Sequence, residues 1–281
     1  MNDFLRVFFP QWQGGSDLQM NKAAHALRPM LGDNWGEEIA VTLRDSSTLQ
    51  RINHYSALKE QHQRVTNLLK LHQPDKVLTL GGDCNTAIAP VNYLNQHYGG
   101  DLTLIWIDQH ADLNTPFNSP SGNFHGMPVR HILGEGERTL FGQLGASLLP
   151  ARVIYVGAGD FDPDERYTIE KHSMTVLGVH EVTQDPNLLA RVLQNKGTER
   201  AYIHIDTDIF DAREFNGSAY PNPNGLFLDE LTTLLNVADQ TISVVGATLT
   251  HYNTTDPKQL ATLVEVIKVL EGMMGGKNDP A

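Results

Sequence analysis

Residues 102–112 read LTLIWIDQHAD. Leu102 to Ile107 is an apolar run broken only by Thr103, and it stops at Asp108, with His110 and Asp112 close behind. A run this short and this apolar reads as a strand covered on both faces, the kind found inside a parallel sheet. Open α/β sheets carry their sites at the carboxyl ends of the strands, and here the polar residues begin where the strand ends. In an extended backbone, a spacing of two turns all three ligand-type side chains to one face.

Working outward, similar runs recur: 5–9 (LRVFF), 38–43 (EIAVTL), 76–80 (KVLTL), 152–157 (RVIYVG), 175–179 (TVLGV), 201–206 (AYIHID) and 242–249 (ISVVGATL). With 102–108 they make eight predicted strands. Helical patterns over 55–72, 86–97, 227–239 and 257–272 lie between them. Strand–helix alternation implies a parallel sheet with right-handed crossovers. Two turn-rich segments, 114–128 (NTPFNSPSGNFHGMP) and 211–226 (DAREFNGSAYPNPNGL), interrupt the pattern, and loops of that length in α/β folds are often functional. With no internal repeat and no evident linker, residues 1–281 are read as one domain, and the tail GGKNDPA is expected to fray.

The bulk composition narrows the function. A chain of 281 residues, 40% hydrophobic and 19% charged, can bury a sizeable core. Its net charge of −12 argues against a nucleic-acid partner and against docking on an anionic membrane. One cysteine, Cys84, excludes an internal disulfide framework and fits a reducing compartment. The opening stretch MNDFLRVFFPQWQGG is broken by Arg6 and Pro10, too early for a signal-peptide core, and no apolar run is long enough to span a bilayer. A cytoplasmic protein is expected.

Polar residues collect after the strands: GGDC, IDQHAD, GDFDPDE, HIDTDIFD and THYN. Asp206 and Asp208 repeat the spacing of Asp108 and His110, so four carboxylates and one imidazole are set to converge. Unpaired, they would repel strongly in a low-dielectric cleft, and divalent cations would remove that repulsion. Two cations sharing bridging carboxylates use these ligands better than one, and carboxylate-rich sites suit Mn²⁺ or Mg²⁺. Either motif alone also reads as a solvated turn or a cap. Cys84 has three readings: a soft metal ligand, a nucleophile near a helix start, or a small core residue.

These motifs resemble the ureohydrolase family of arginases, agmatinases and formiminoglutamases. GGDCNT is similar to the family's GGDHS, IDQHADLNTP to DAHxDxNTP, and HIDTDIFD to SxDxDxxDP, over roughly Lys76 to Asn253. The resemblance implies a three-layer α/β/α fold with an eight-stranded, mostly parallel sheet and a site for two Mn²⁺ per chain. One ion would take position 84 with Asp108, Asp112 and Asp206; the other would take Asp108, His110, Asp206 and Asp208. A metal-bridging hydroxide would attack the central carbon of a guanidino or amidino amino acid. His125 matches the family's proton-shuttling histidine, although a lone loop histidine is more often a surface group.

The segment NTPFNSPSGNFHG is similar to the arginase version of its loop. The resemblance implies that Asn114, Ser119, Ser121 and Asn123 help hold the α-carboxylate and amino group of an amino-acid substrate. Asp160, Asp162 and Glu165 would face the α-amino group. On its own, GDFDPDE also reads as an acidic cap for a helix starting near Glu165.

Three positions depart from the family. Cys84 stands where a histidine ligand is usual, so another divalent metal is conceivable on that side. His251 stands where a glutamate pairs with the guanidinium, and Ala212 replaces a usual proline. An imidazole should hold a permanently charged guanidinium less well than a carboxylate does, which favours a less basic substrate such as an N-hydroxyguanidine or a formimino group. Loss of the histidine ligand also raises a different reading, a metal-poor binding or regulatory protein on the same scaffold. Homo-oligomerisation is expected only from family habit.

Overall fold

The computed structural model describes residues 4–275 apart from 33 and 142–146, so the tail expected to fray lies outside the described residues beyond Gly275. Ten strands occur among them: β1 (Phe4–Phe9), β2 (Glu37–Glu38), β3 (Thr48–Leu49), β4 (Ile52–Asn53), β5 (Lys76–Gly81), β6 (Thr103–Ile107), β7 (Val153–Val156), β8 (Thr175–Leu177), β9 (Arg200–Asp206) and β10 (Ser243–Thr250). Eight form one sheet in the order β2-β1-β5-β10-β9-β6-β7-β8. Every neighbouring pair in it is parallel. β3 and β4 form a separate antiparallel pair.

Side-chain alternation along the strands feeds two cores. On one face Leu78, Leu80, Ile105, Ile107, Ile203 and Ile205 pack with helices Leu18–Leu27, Leu228–Thr241 and Pro257–Met274. On the other, Val77, Leu104, Trp106 and Tyr202 pack with helices Tyr55–His72, Ile88–His97 and Pro128–Ile132. Each fully buried Leu or Ile contributes roughly 1.5–3 kcal/mol, so these two layers carry the sheet. The result is the three-layer α/β/α arrangement.

One expected strand is corrected. The run 38–43 becomes a strand only at its first residue: β2 is Glu37–Glu38, paired with Val7 and Phe8. Ile39 then makes one further bond, its N–H donating to the Phe8 carbonyl at 2.8 Å, and the chain leaves the sheet. β2 lies at the edge with two exposed glutamates, and short charged edges discourage pairing with other chains.

The middle four strands, β5, β10, β9 and β6, end side by side, and the candidate residues follow each of them. The segment after β1 crosses these ends. Gly82 N–H donates to the Phe9 carbonyl at 3.1 Å, and Gly14 N–H donates to Asp83 Oδ2 at 2.9 Å. A Cβ on Gly82 would run into the Gln11 carbonyl, and one on Gly14 into Asn85 and Asp83, so the close approach requires glycine at both. Among the described residues, no helix is long and apolar enough to cross a membrane.

Candidate metal centre and substrate cleft

The acidic residues converge, but not as extended strands. β6 stops at Ile107, Asp108 Oδ1 accepts the His110 N–H at 2.7 Å, and Asp112 takes a left-handed φ of 51°. Asp206 caps the short 3-10 turn Thr207–Ile209, its Oδ1 accepting the Asp208 N–H at 2.9 Å. Turns, rather than strand alternation, therefore gather the carboxylates past the sheet edge. The two motifs are tied where Gln109 N–H donates to Asp208 Oδ1 at 3.1 Å.

Asp108, Asp206 and Asp208 are at most 1% exposed and Asp112 is 4% exposed. Two such charges 4 Å apart repel by about 4 kcal/mol at an effective dielectric of 20. Burial and the neighbouring carboxylates push Asp108 and Asp112 well above the usual carboxylate range, and Asp208 upward. Asp206 is the exception. Burial opposes its ionisation, but His251, whose Nδ1–H donates to Asp206 Oδ2 at 2.6 Å, holds it below the usual range. Burial would lower His251 in turn, yet Asp206 raises it to about 9. His110 Nδ1 lies 2.8 Å from Asp208 Oδ2. Burial and Asp206 push the Cys84 thiol well up, so in the absence of a cation it is a neutral donor to Asp206 Oδ2 at 3.0 Å.

Three groupings of side chains bring ligand atoms within 4.8 Å of one another: Cys84 with Asp108, His204 and Asp206; Asp108 with His110 and Asp208; and Asp206 with Asp208 and His251. Asp112 Oδ2 is buried without a hydrogen-bond partner, and Asp208 Oδ2 faces only His110 Nδ1. Clustered carboxylates, a spare buried oxygen and a thiol beside them are what divalent cations would satisfy, so the donor set fits divalent metal ions. Asp112 falls outside all three groupings, whereas His204, not expected, falls within one.

A cleft of about 260 Å³ opens above the cluster. Its lining brings together His110, Asp112, Asp206, His125 and His251 with Asn114, Ser119, Ser121, Asn123, Asp160, Asp162 and Glu165. No lysine or arginine is among the described lining residues. Burial, helped by His251, lowers His125 to about 3, leaving a neutral imidazole.

The outer residues hold one another. Asn114 Nδ2 donates to Asp162 Oδ2 at 2.7 Å, and Asn123 Oδ1 accepts from Ser16 and Asn53 at 2.7 and 2.9 Å. Ser119 Oγ accepts from Gly122 N–H and Ser121 Oγ from Asn123 N–H, both at 3.1 Å. Asp160 is largely exposed at the rim. Glu165 uses both oxygens on backbone, accepting from Leu113 N–H at 2.8 Å and Asp162 N–H at 3.0 Å. The second bond caps helix Pro163–Lys171, so the capping reading of GDFDPDE holds for Glu165.

The Arginase family model matches residues 18–275. The chain belongs to the arginase family. An arginase of Staphylococcus aureus (strain MRSA252) is 33% identical over 184 residues, covering 63% of this chain and 60% of that protein. An arginase of Neurospora crassa is 31% identical over 193 residues, covering 64% of this chain and 53% of that protein. The chain thus spans little more than half the length of these curated relatives. The crystal structure of Entamoeba histolytica arginase in complex with L-ornithine is similar with a TM-score of 0.87 at 18% identity, over 97% of this chain and 99% of that one. Formimidoylglutamase from Bacillus subtilis subsp. subtilis str. 168 has a TM-score of 0.73 at 18% identity, over 96% and 88%. At such identities the likeness is one of fold.

Within this arginase-family chain, sequence reading missed two residues of the site. Tyr220, from the loop 211–226, stacks on His125 with centroids 6.0 Å apart and meets His110 and His251 at 5.8 Å. Its only signal was membership of a long loop. His204 stood inside the quoted HIDTDIFD, two residues before Asp206, a spacing that already set it on the same strand face.

Proposed function

We propose that this chain hydrolyses a linear C–N bond of a guanidino or amidino amino acid, with two divalent cations, Mn²⁺ in the first instance, at the acidic cluster. The observation that carries the reading is the pairing of a floor of buried carboxylates, Asp112 with an unpartnered oxygen, with a cleft wall of neutral and acidic side chains. Asp108, His110, Asp206 and Asp208 would hold the cations together with Cys84, with Asp112 lining the cleft beside them. Bound there, the cations would supply a water acidic enough to act as nucleophile near neutral pH.

The chain's own groups account for the rest. Ser119, Ser121, Asn114 and Asn123 are neutral donors suited to an α-carboxylate, and Asp160 and Asp162 suit an ammonium. His125, kept neutral, takes up the proton released at the attacking water and passes it to the leaving amine. His251 presents Nε2, which lacks a partner, to the reacting end where the family has a carboxylate. An imidazole gives a guanidinium no compensating negative charge, which supports a less basic substrate, N-hydroxyarginine before arginine. The test is a product assay with Mn²⁺ on arginine, N-hydroxyarginine, agmatine and formiminoglutamate, scoring urea, hydroxyurea and formamide. Turnover of none of the four, with metal bound, would remove the proposal.

A further inference from the structure

His204 takes no part in the proposed reaction. It is fully buried on β9, with its ring flat on Trp106, its cross-strand partner in register, at 3.6 Å between centroids. Neither ring nitrogen has a hydrogen-bond partner. Unpaired buried polar atoms are costly and uncommon in native proteins, so each calls for an explanation. Nε2 lies 4.0 Å from Asp108 Oδ2. A ring nitrogen of His204, Cys84 Sγ and one oxygen each from Asp108 and Asp206 lie within 4.8 Å of one another, and all four residues are buried.

Ligand atoms about 2.0–2.3 Å from a shared cation stand about 3–4.5 Å apart, so this set closes on an ion with little movement. The stack on Trp106 fixes the ring plane, as outer partners commonly do for ligating imidazoles. Trp106 Nε1–H meanwhile donates to Asp108 Oδ2 at 3.0 Å, which orients that carboxylate.

We infer that His204 is a direct ligand of the cation on the Cys84 side. The imidazole missing from position 84 is supplied from β9 instead, and Cys84 supplies a thiolate. Ion binding takes the proton from Sγ, so one proton leaves per ion bound there. Ligation accounts for one ring nitrogen, and the other carries the proton. The set of one sulfur, one nitrogen and two carboxylates is softer than the remainder of the cluster. It therefore prefers Zn²⁺ or Co²⁺ to Mn²⁺, making the two metal positions chemically unequal.

The inference rests on the cluster being a metal site, and the experiment separates the two. The full chain is crystallised with Co²⁺ and the ions are located by anomalous scattering. An ion bonded to both His204 and Cys84 is the expected result. An ion at the cluster with His204 out of bonding reach overturns the inference and leaves the metal centre standing. No ion at all overturns both. In solution, His204→Gln should lower affinity for one of two Co²⁺ ions at least tenfold and leave the other unchanged, since even outer partners of ligands cost 10–100-fold. Moving the imidazole back, with Cys84→His and His204→Ser together, should restore the second ion. A folded His204→Gln protein with both affinities unchanged overturns the inference. The wild-type crystal needs no variant, so a misfolded variant does not shelter it.

Discussion

At the mouth of the cleft, Asn114, Asp162, Asn123, Asn53 and Ser16 grip one another through side-chain hydrogen bonds, and the residues there follow the arginase-like loop pattern. At its floor, Cys84, His204 and His251 surround Asp206 with contacts unlike that pattern, and several polar atoms are unpartnered. On the proposed function, a wall whose side chains are held by one another would keep reading the amino-acid end of a substrate while the reacting end changes its metal and its charge.

The largest effects of substitution are expected at the floor. Asp208→Asn removes a buried ligand oxygen from two of the three groupings. It should cut turnover by more than about 100-fold and reduce bound metal from two ions toward one, read by metal analysis beside the assay. If metal content and turnover both survive, the floor is not a metal centre. His251→Glu should restore a negative partner for guanidinium, worth roughly 1.5–3 kcal/mol for a charged hydrogen bond. The preference for arginine over N-hydroxyarginine should then rise about tenfold or more in kcat/KM. An unchanged ratio would mean that His251 does not face substrate.

At the mouth, Asn114→Ala frees Asp162 and should raise KM by no more than about tenfold with kcat nearly unchanged, because binding there is uniform through the reaction. A fall in kcat instead would erase the division between the two ends. The smallest effect concerns the metal-free protein. His251, raised to about 9, gives stability that is full below its unfolded value and is lost as pH rises through 9. Asp108 and Asp112, raised well above the usual range, also bind more protons folded than unfolded and act in the same direction. Melts in chelator should therefore lose a few degrees between pH 7 and 9. A melting temperature that rises over that window would count against the crowded acidic floor.

Much of this was legible in the sequence because burial on both faces writes itself as continuous apolar runs. LTLIWID and AYIHID became β6 and β9 to within one residue at each end. The edge was not, because β2 is fixed by its neighbour β1 and two exposed glutamates carry no apolar signal. The carboxylates were found by type and spacing, yet through the wrong geometry, since a left-handed Asp112 and a 3-10 turn leave no period to read. His204 went unweighed because one histidine within an apolar strand reads as core. Only the space around it, with Cys84 beside it and no acceptor for its nitrogens, gives it meaning.

The strand order carries a consequence for how the molecule comes into being. β9 and β10, the last strands in the chain, lie at the centre of the sheet, between β5 and β6. Asp206, Asp208, His204 and His251 arrive with them or directly after. The most distant pairings in sequence therefore lie at the heart of the fold. Such topologies fold slowly. The acidic floor therefore depends on the pairings that reach farthest along the chain.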